Sequence, residues 1–435
     1  MSVQVGEYIN KYLLADKFIE NNKITLHKNA VEYIHKNWVQ IVAFTRQPAP
    51  DSKVKYNTYV YCYVYTGSPK FYRIMFKAAE YDDKLIEQVY RTLYSFEDNL
   101  PVKGEAKNFT SYAPKVPDFW SDETKAFYES LVSGDSIKWG IYEPLNVRNA
   151  DMSGILELEK KLDYRFDGVL EYLYFGEELP VEGMQKAYED GKTIELTIQT
   201  STVMNENLDG YNPVFDILDG KRDDEIYYLA NRIKEYGHPI LFRLNNEMNS
   251  DWTSYGVSAC LNDPDIYVQL WRKFYDMFKE SGVNNTIWVF NPNDESYPPH
   301  GYNATMAFYP GDEYVQVFGV TGYNTGTYYA QQNNEKWKTF DDIYGKIYDR
   351  HHETYKNFPW IITEFASSSI GGDKVKWIND MFRDIKKYPN IRMAFWFNSA
   401  DYDLSYGKDV MPARPYWLDE NEDTLAAFKK GLAKK

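Results

Sequence analysis

Residues 239–252 read P-I-L-F-R-L-N-N-E-M-N-S-D-W. The stretch opens as an apolar strand, 239–244, and runs out into Asn245, Asn246, Glu247, Asn249, Asp251 and Trp252, with Arg243 inside the strand. A buried strand whose C-terminal end carries amides, a carboxylate and an indole is what the mouth of an α/β barrel presents. A second stretch answers it. Residues 359–367, P-W-I-I-T-E-F-A-S, are again a short apolar run ending in one glutamate, Glu364.

Working outward from these two, eight apolar strand candidates follow one another: 137–142, 166–175, 193–200, 239–244, 286–291, 315–323, 359–364 and 392–398. Amphipathic helical patterns lie between most of them, clearest at 222–236, 264–281, 340–355 and 374–388, whereas the link between the fifth and sixth strands is mostly irregular. Eight strand–helix repeats over 137–435 predict a (β/α)8 TIM barrel, and no G-x-G-x-x-G follows the first strand.

Residues 1–105 read as a separate, smaller α+β domain of unknown role. A strand is expected at 38–45. A hairpin of 56–65 and 70–78 is expected around the turn signal T-G-S-P, and a helix over 81–96. Its aromatic-rich strands allow two readings, a sugar-binding face or a small sheet packed on one helix and docked on the barrel. The unit is expected to be removable without loss of the site. Residues 106–136 read as a linker and lead-in to the barrel, with prolines at 114 and 117 following Pro101.

The 435 residues carry a net charge of -15, which disfavours nucleic acid as a partner. No apolar stretch approaches a membrane span, so no membrane partner is expected. The N-terminus, M-S-V-Q-V-G-E-Y-I-N-K, is not a signal peptide, so the protein is expected to be intracellular or to have lost a leader. Two distant cysteines, Cys62 and Cys260, and six scattered histidines suggest neither a disulfide framework nor a metal site, and no cofactor is expected. The adjacent His351 and His352 read as a solvated helix face. The 40 tyrosines and 11 tryptophans suit stacking on flat sugar faces, although most tyrosines are expected to sit half-buried in sheets.

Two glutamates at the ends of two buried strands suggest the paired carboxylates of glycoside hydrolysis. Arg243 lies four residues before Glu247, so in a strand it shares that face and points into the mouth. Tyr142 ends the first strand, and Trp252 and Trp396 are candidate stacking platforms. A barrel aldolase would need a strand-end lysine, and Lys138 stands at a strand start. A non-catalytic carbohydrate-binding barrel is the other alternative.

The segment R-L-N-N-E-M-N-S-D-W resembles the acid/base motif of glycoside hydrolase family 26, the β-mannanase-like family of the barrel glycosidase clan. F-Y-P-G-D-E-Y-V-Q-V-F-G-V-T-G-Y-N, residues 308–324, is similar to that family's Y-P-G-D-x-Y-V-D-x-x-G-x-D-G-Y-N stretch. I-I-T-E-F-A-S, residues 361–367, is similar to its nucleophile strand, and the likeness covers about 137–415. The resemblance implies a retaining β-glycoside hydrolase acting on a polysaccharide, with Glu247 as acid/base, Glu364 as nucleophile and Tyr323 beside the nucleophile. It also favours an extracellular or cell-surface location. The chain departs from the family in having Asn246, not histidine, before the acid/base. This resembles the Asn-Glu pair found elsewhere in the clan, where the amide contacts the sugar 2-hydroxyl. Ser250 and Gln316 stand where the family has glycine and aspartate.

Overall fold

A computed structural model describes residues 9, 13–67, 71–98, 111–201, 211–406 and 410–433. Ser68 and Pro69 of the T-G-S-P turn, Pro101, the first residues of the expected linker and the extreme N-terminus lie outside the described residues.

Strands β1 (Ile24–Ile34), β2 (Asn37–Arg46), β3 (Thr58–Tyr65) and β4 (Phe71–Ala78) form an antiparallel sheet in that order. Alternation and aromatic content mark the last three in the sequence. The first is an edge strand that is mostly exposed and carries His27, Lys28, Asn29 and Glu32, so its pattern does not read as a half-buried strand. One face of the sheet packs Ile41, Val60 and Cys62 against Leu85, Val89 and Leu93 of the helix Asp83–Tyr94. Asp82 caps that helix by accepting from the Leu85 amide at 2.7 Å.

The opposite face does not stay exposed. Val42, Phe44, Tyr59, Tyr61 and Tyr63 are buried in one continuous core with the barrel's outer layer. Arg46 forms a buried bidentate pair with Asp219 at 2.8 and 2.9 Å, and the Ser52 hydroxyl donates to the same carboxylate at 2.8 Å. Arg73 donates to the Asn262 carbonyl at 2.7 Å and lies 3.8 Å from the Tyr302 ring centroid. The unit is therefore built into the barrel through the loops near its mouth, and it is not a loosely docked module. Cys62 and Cys260 are free and buried.

Strands β5 (Lys138–Tyr142), β6 (Gly168–Tyr174), β7 (Thr193–Gln199), β8 (Ile240–Leu244), β9 (Thr286–Phe290), β10 (Val317–Thr321), β11 (Trp360–Phe365) and β12 (Ile391–Phe397) close into a parallel barrel. Each overlaps one of the eight candidates read from the sequence. The interior is filled by Leu241, Ile287, Val289, Val317, Ile361, Met393 and Phe395. Gly140 and Gly168 make room for this layer. A Cβ on either would approach Phe395 Cδ1 to 2.2 Å or Met393 Cε to 2.5 Å.

Part of the expected linker is structural. Trp120 together with Tyr128 and Leu131 of the helix Asp122–Ser133 joins the interior cluster and plugs the N-terminal end of the barrel. The Tyr128 hydroxyl donates to the Gln316 carbonyl at 3.2 Å, just before β10 begins. Between β9 and β10 only short 3-10 turns, Gly301–Asn303 and Thr305–Phe308, break an irregular connection. His351 departs from its reading as a solvated residue. It is buried beside Phe318, and burial pushes its pKa down to about 3.

Candidate active site

Side chains on or just past the ends of β6, β8 and β10 converge on the Glu364 carboxylate of β11. Arg243 Nη1 donates to Oε1 at 2.8 Å, and Asn246 Nδ2 reaches the same oxygen at 3.3 Å. The Tyr323 hydroxyl donates to Oε2 at 3.0 Å, and Tyr172 donates to the same oxygen in a short contact. Thr321 stands 3.5 Å from Oε1. A carboxylate accepting from a guanidinium and two phenols is fixed in direction.

Local backbone irregularity aims both glutamates. In β11 the register slips by one residue, since Val320 pairs with Ile362 but Thr321 pairs with Glu364. Strand β12 slips against the same stretch, between Ile362 and Phe365. A bulge of this kind breaks the strict alternation of a strand. Thr363 still faces inward, within reach of the inward face of Gly319, and Glu364 reaches the mouth as its neighbour.

At the end of β8, Asn245 and Glu247 both take left-handed backbone angles, φ +53° and +55°. Asparagine tolerates that region, whereas for glutamate it costs about 1–2 kcal/mol. The turn is held by the Glu247 amide donating to the Asn291 carbonyl at 2.8 Å. It leaves the Glu247 side chain half-buried, with no hydrogen-bond partner among the described residues. Burial and the charge of Glu364 raise its pKa well above the carboxylate range.

Arg243 is fully buried. Its Nε donates to Thr197 at 2.6 Å, and Nη1 also donates to Asn291 Oδ1 at 2.9 Å. Burial works against its charge, and Glu364, Tyr172 and Glu195 outweigh it, so its pKa lies above the ordinary value. Glu195 is a third carboxyl in this layer, with no exposure and no hydrogen-bond donor on either oxygen among the described residues, 3.4 Å from Arg243 Nε. Burial raises its pKa to about 8, against the pull of Arg243.

Asn246 is held by its carbonyl end. Oδ1 accepts from Gln199 Nε2 at 2.9 Å and from the Tyr255 hydroxyl at 3.1 Å. Its NH2 group is thereby turned towards Glu364 and the mouth.

Of the residues singled out in the sequence, Glu247, Glu364, Asn246, Arg243 and Tyr323 come together. Tyr142 lies beside them, edge-on to Tyr172 at 5.2 Å and stacked on Phe397 at 4.7 Å. Asn398 Nδ2 donates to Glu143 at 2.6 Å on the same rim. Trp396 does not belong to the cleft. It is fully buried among Phe365, Trp377 and Phe428, and its indole N–H donates to the Tyr416 carbonyl at 2.9 Å. Strand parity explains this, because Phe395 and Phe397 face inward and the residue between them faces the helices. Phe397 therefore takes the mouth position expected of Trp396. Trp252 is exposed on the loop after Glu247. Tyr172, Tyr255 and Glu195 are not marked by the sequence pattern. The inward alternation of Leu170 and Tyr172 was a usable signal for the first, but Tyr255 lies in an irregular loop with none.

Residues 198–349 match the sequence model described as glycosyl hydrolase family 26. The chain is 36% identical over 227 residues to "Endoglucanase H" of Acetivibrio thermocellus, covering 51% of this chain and 23% of that protein. It is 30% identical over 240 residues to "Mannan endo-1,4-beta-mannosidase" of Bacillus subtilis, covering 52% of each. The chain thus spans about half or less of the length of these curated relatives. The catalytic domain of the Bacillus sp. JAMB-750 GH26 endo-beta-1,4-mannanase has the same fold, with TM-score 0.55 and 20% identity over 74% of this chain and 93% of that one. By its motifs and these matches, the barrel of this chain is similar to glycosyl hydrolase family 26, whose sequence model covers residues 198–349.

Proposed function

We propose that the chain is a retaining, endo-acting β-glycoside hydrolase of polysaccharides of the β-glucan, β-mannan or xylan type. The contrast between its two mouth glutamates carries this reading. Glu364 accepts from Arg243, Asn246, Tyr172 and Tyr323, whereas Glu247 has no hydrogen-bond partner among the described residues and a raised pKa. Such a pair sets a hydrogen-bonded carboxylate beside a carboxyl whose protonated form is favoured, which suits the division of labour between nucleophile and acid.

In the first step Glu247 gives its proton to the glycosidic oxygen while a Glu364 oxygen attacks the anomeric carbon. The C–O bond to the leaving sugar breaks and a glycosyl ester forms. Esterification removes the charge of Glu364, one of the two main causes of the raised Glu247 pKa. Glu247, now deprotonated by the first step, takes a proton from water, whose oxygen displaces Glu364 and restores the configuration. The Asn246 N–H, 3.3 Å from Glu364 Oε1, is the group we assign to the sugar 2-hydroxyl beside the nucleophile. The names of the relatives, an endoglucanase and a mannan endo-1,4-beta-mannosidase, support endo action on a β-linked polymer.

The test is hydrolysis of a panel of soluble β-glucan, glucomannan, galactomannan and xylan with reducing-end detection, and proton NMR of the first-formed anomer. Turnover with initial β-anomer is expected. Initial α-anomer would overturn the retaining step, and no turnover on any polymer would overturn the enzyme.

A further inference from the structure

The aromatic face of the N-terminal sheet outruns its interface with the barrel. Val42, Phe44, Tyr59, Tyr61 and Tyr63 are buried in the common core. At the end of the same face lies one row of directly paired residues across all four strands. Tyr33 pairs with Trp38, Trp38 with Tyr65, and Tyr65 with Phe71. Directly opposed residues share a face, so the four rings form a ladder roughly 14 Å long, three strand spacings.

The inner half of the ladder, Tyr65 and Phe71, packs against the common core. The outer half is open to solvent, Trp38 at 57% and Tyr33 at 63%, with their rings edge-on at 5.2 Å. Gln40, one row inward, is buried, and its amide oxygen has no donor among the described residues. Isolated exposed aromatics are ordinary. A paired tryptophan and tyrosine continuing a buried aromatic face are an exposed apolar patch that asks for a partner.

The ladder also has a direction. Phe71 meets His300 edge-on at 5.4 Å, on the connection between β9 and β10. That connection is tied to the loop that follows Glu247, because the Tyr297 amide and Asn303 Nδ2 both donate to the Asn249 carbonyl at 2.8 Å. The same loop carries the exposed Trp252.

We infer that the Tyr33–Trp38–Tyr65–Phe71 ladder is a second carbohydrate-binding surface, which holds a neutral β-linked polysaccharide chain away from the bond being cleaved. Flat C–H faces of pyranose rings stack on the exposed rings, and their hydroxyls meet the polar tips of tyrosine and tryptophan. A linear polymer suits a linear row better than a globular partner does. The inference rests on the reading of the site as a polysaccharide hydrolase, but its binding measurement does not depend on turnover.

The test compares the full-length wild type, Trp38→Phe and the double variant Tyr33→Ala/Trp38→Ala. Each is run in native gels cast with barley β-glucan, konjac glucomannan or xylan, and assayed on the same polymer and on a matched short oligosaccharide. Wild type and Trp38→Phe should be retarded by at least one polymer. The double variant should lose most of that retardation and show a three- to tenfold higher KM on polymer, with kcat/KM on the oligosaccharide unchanged. Equal retardation of all three proteins, or of none, would overturn the surface. So would an equal loss on oligosaccharide and polymer, or a shift from dimer to monomer in the double variant without loss of retardation. Retardation lost in the double variant, with no turnover by wild type on any polymer, would sustain the surface and sink the reading of the active site.

Discussion

Arg243 Nη1 lies 2.8 Å from Glu364 Oε1, and the strand that carries this arginine ends in the turn that presents Glu247. One strand thus supplies both the charge that steadies one carboxylate and the backbone that places the other. Breaking either end of that relationship should have distinct consequences.

Replacing Glu364 with alanine should lower turnover by about four orders of magnitude or more, the scale seen when one member of a concerted catalytic group is removed. Azide should restore part of it and give an α-glycosyl azide, because a small anion fits the space left by the carboxylate. Near wild-type turnover in the variant would remove Glu364 from the mechanism.

Glu247 should govern the alkaline side of the pH profile, because only its protonated form assists the leaving group and its pKa is raised. Glu247→Ala should lose most activity on polysaccharide but keep the first step on a dinitrophenyl glycoside, whose leaving group needs no proton. Pre-steady-state release of dinitrophenol measures this. A parallel loss on both substrates would count against the acid role.

Glu195 offers a test through stability. Its folded pKa, about 8, lies above the ordinary carboxyl value, so between the two the folded state holds the extra proton. Stability then declines as pH rises through that window and is highest below it. Glu195→Gln, neutral at every pH, should flatten the decline from pH 5 to 8 by on the order of 4 kcal/mol. Urea unfolding at several pH values reads it out, and identical pH slopes would refute it.

The Arg46–Asp219 pair joins the N-terminal sheet to the barrel and is almost wholly buried. Removing one partner of such a pair leaves a buried charge and costs about 3–5 kcal/mol. Asp219→Ala should therefore lower the melting temperature of the whole chain in one transition. A chain lacking residues 1–105 should expose the apolar face it covers and aggregate. A soluble truncated protein with full thermal stability would show the two units to be independent.

Asn246→Ala should lower kcat more than it raises KM, by on the order of 2–4 kcal/mol if its N–H binds the 2-hydroxyl as charge develops on the ring. Asn246→His should shift preference towards mannosides. Kinetics on matched gluco-, xylo- and manno-oligosaccharides decide this. Identical ranking and similar kcat across the three proteins would show that Asn246 does not read the 2-hydroxyl.

The eight barrel strands were legible because each is a buried, continuous apolar run, and the carboxylates were legible because each ends such a run. Arg243 and Tyr323 followed from position relative to those ends. Hydrophobic periodicity is a local signal, and it carries no information on what lies across the barrel. Hence Tyr172, whose importance lies in reaching across to Glu364, is not marked by the pattern. Trp396 was misplaced for a related reason: a single shift in parity exchanges cleft for core, and only the closed barrel fixes the parity. The bulge that turns Glu364 inward depends on how β11 pairs with both neighbours at once. The N-terminal sheet shows the same limit on a larger scale. Its strands could be read from alternation, but which face is buried is decided by the barrel loops it meets. The sequence alone determined the strands, the barrel and the two glutamates, because these rest on local burial. The tertiary structure decided their aim, their partners and the union of the two units, because those rest on contacts between residues far apart in the chain.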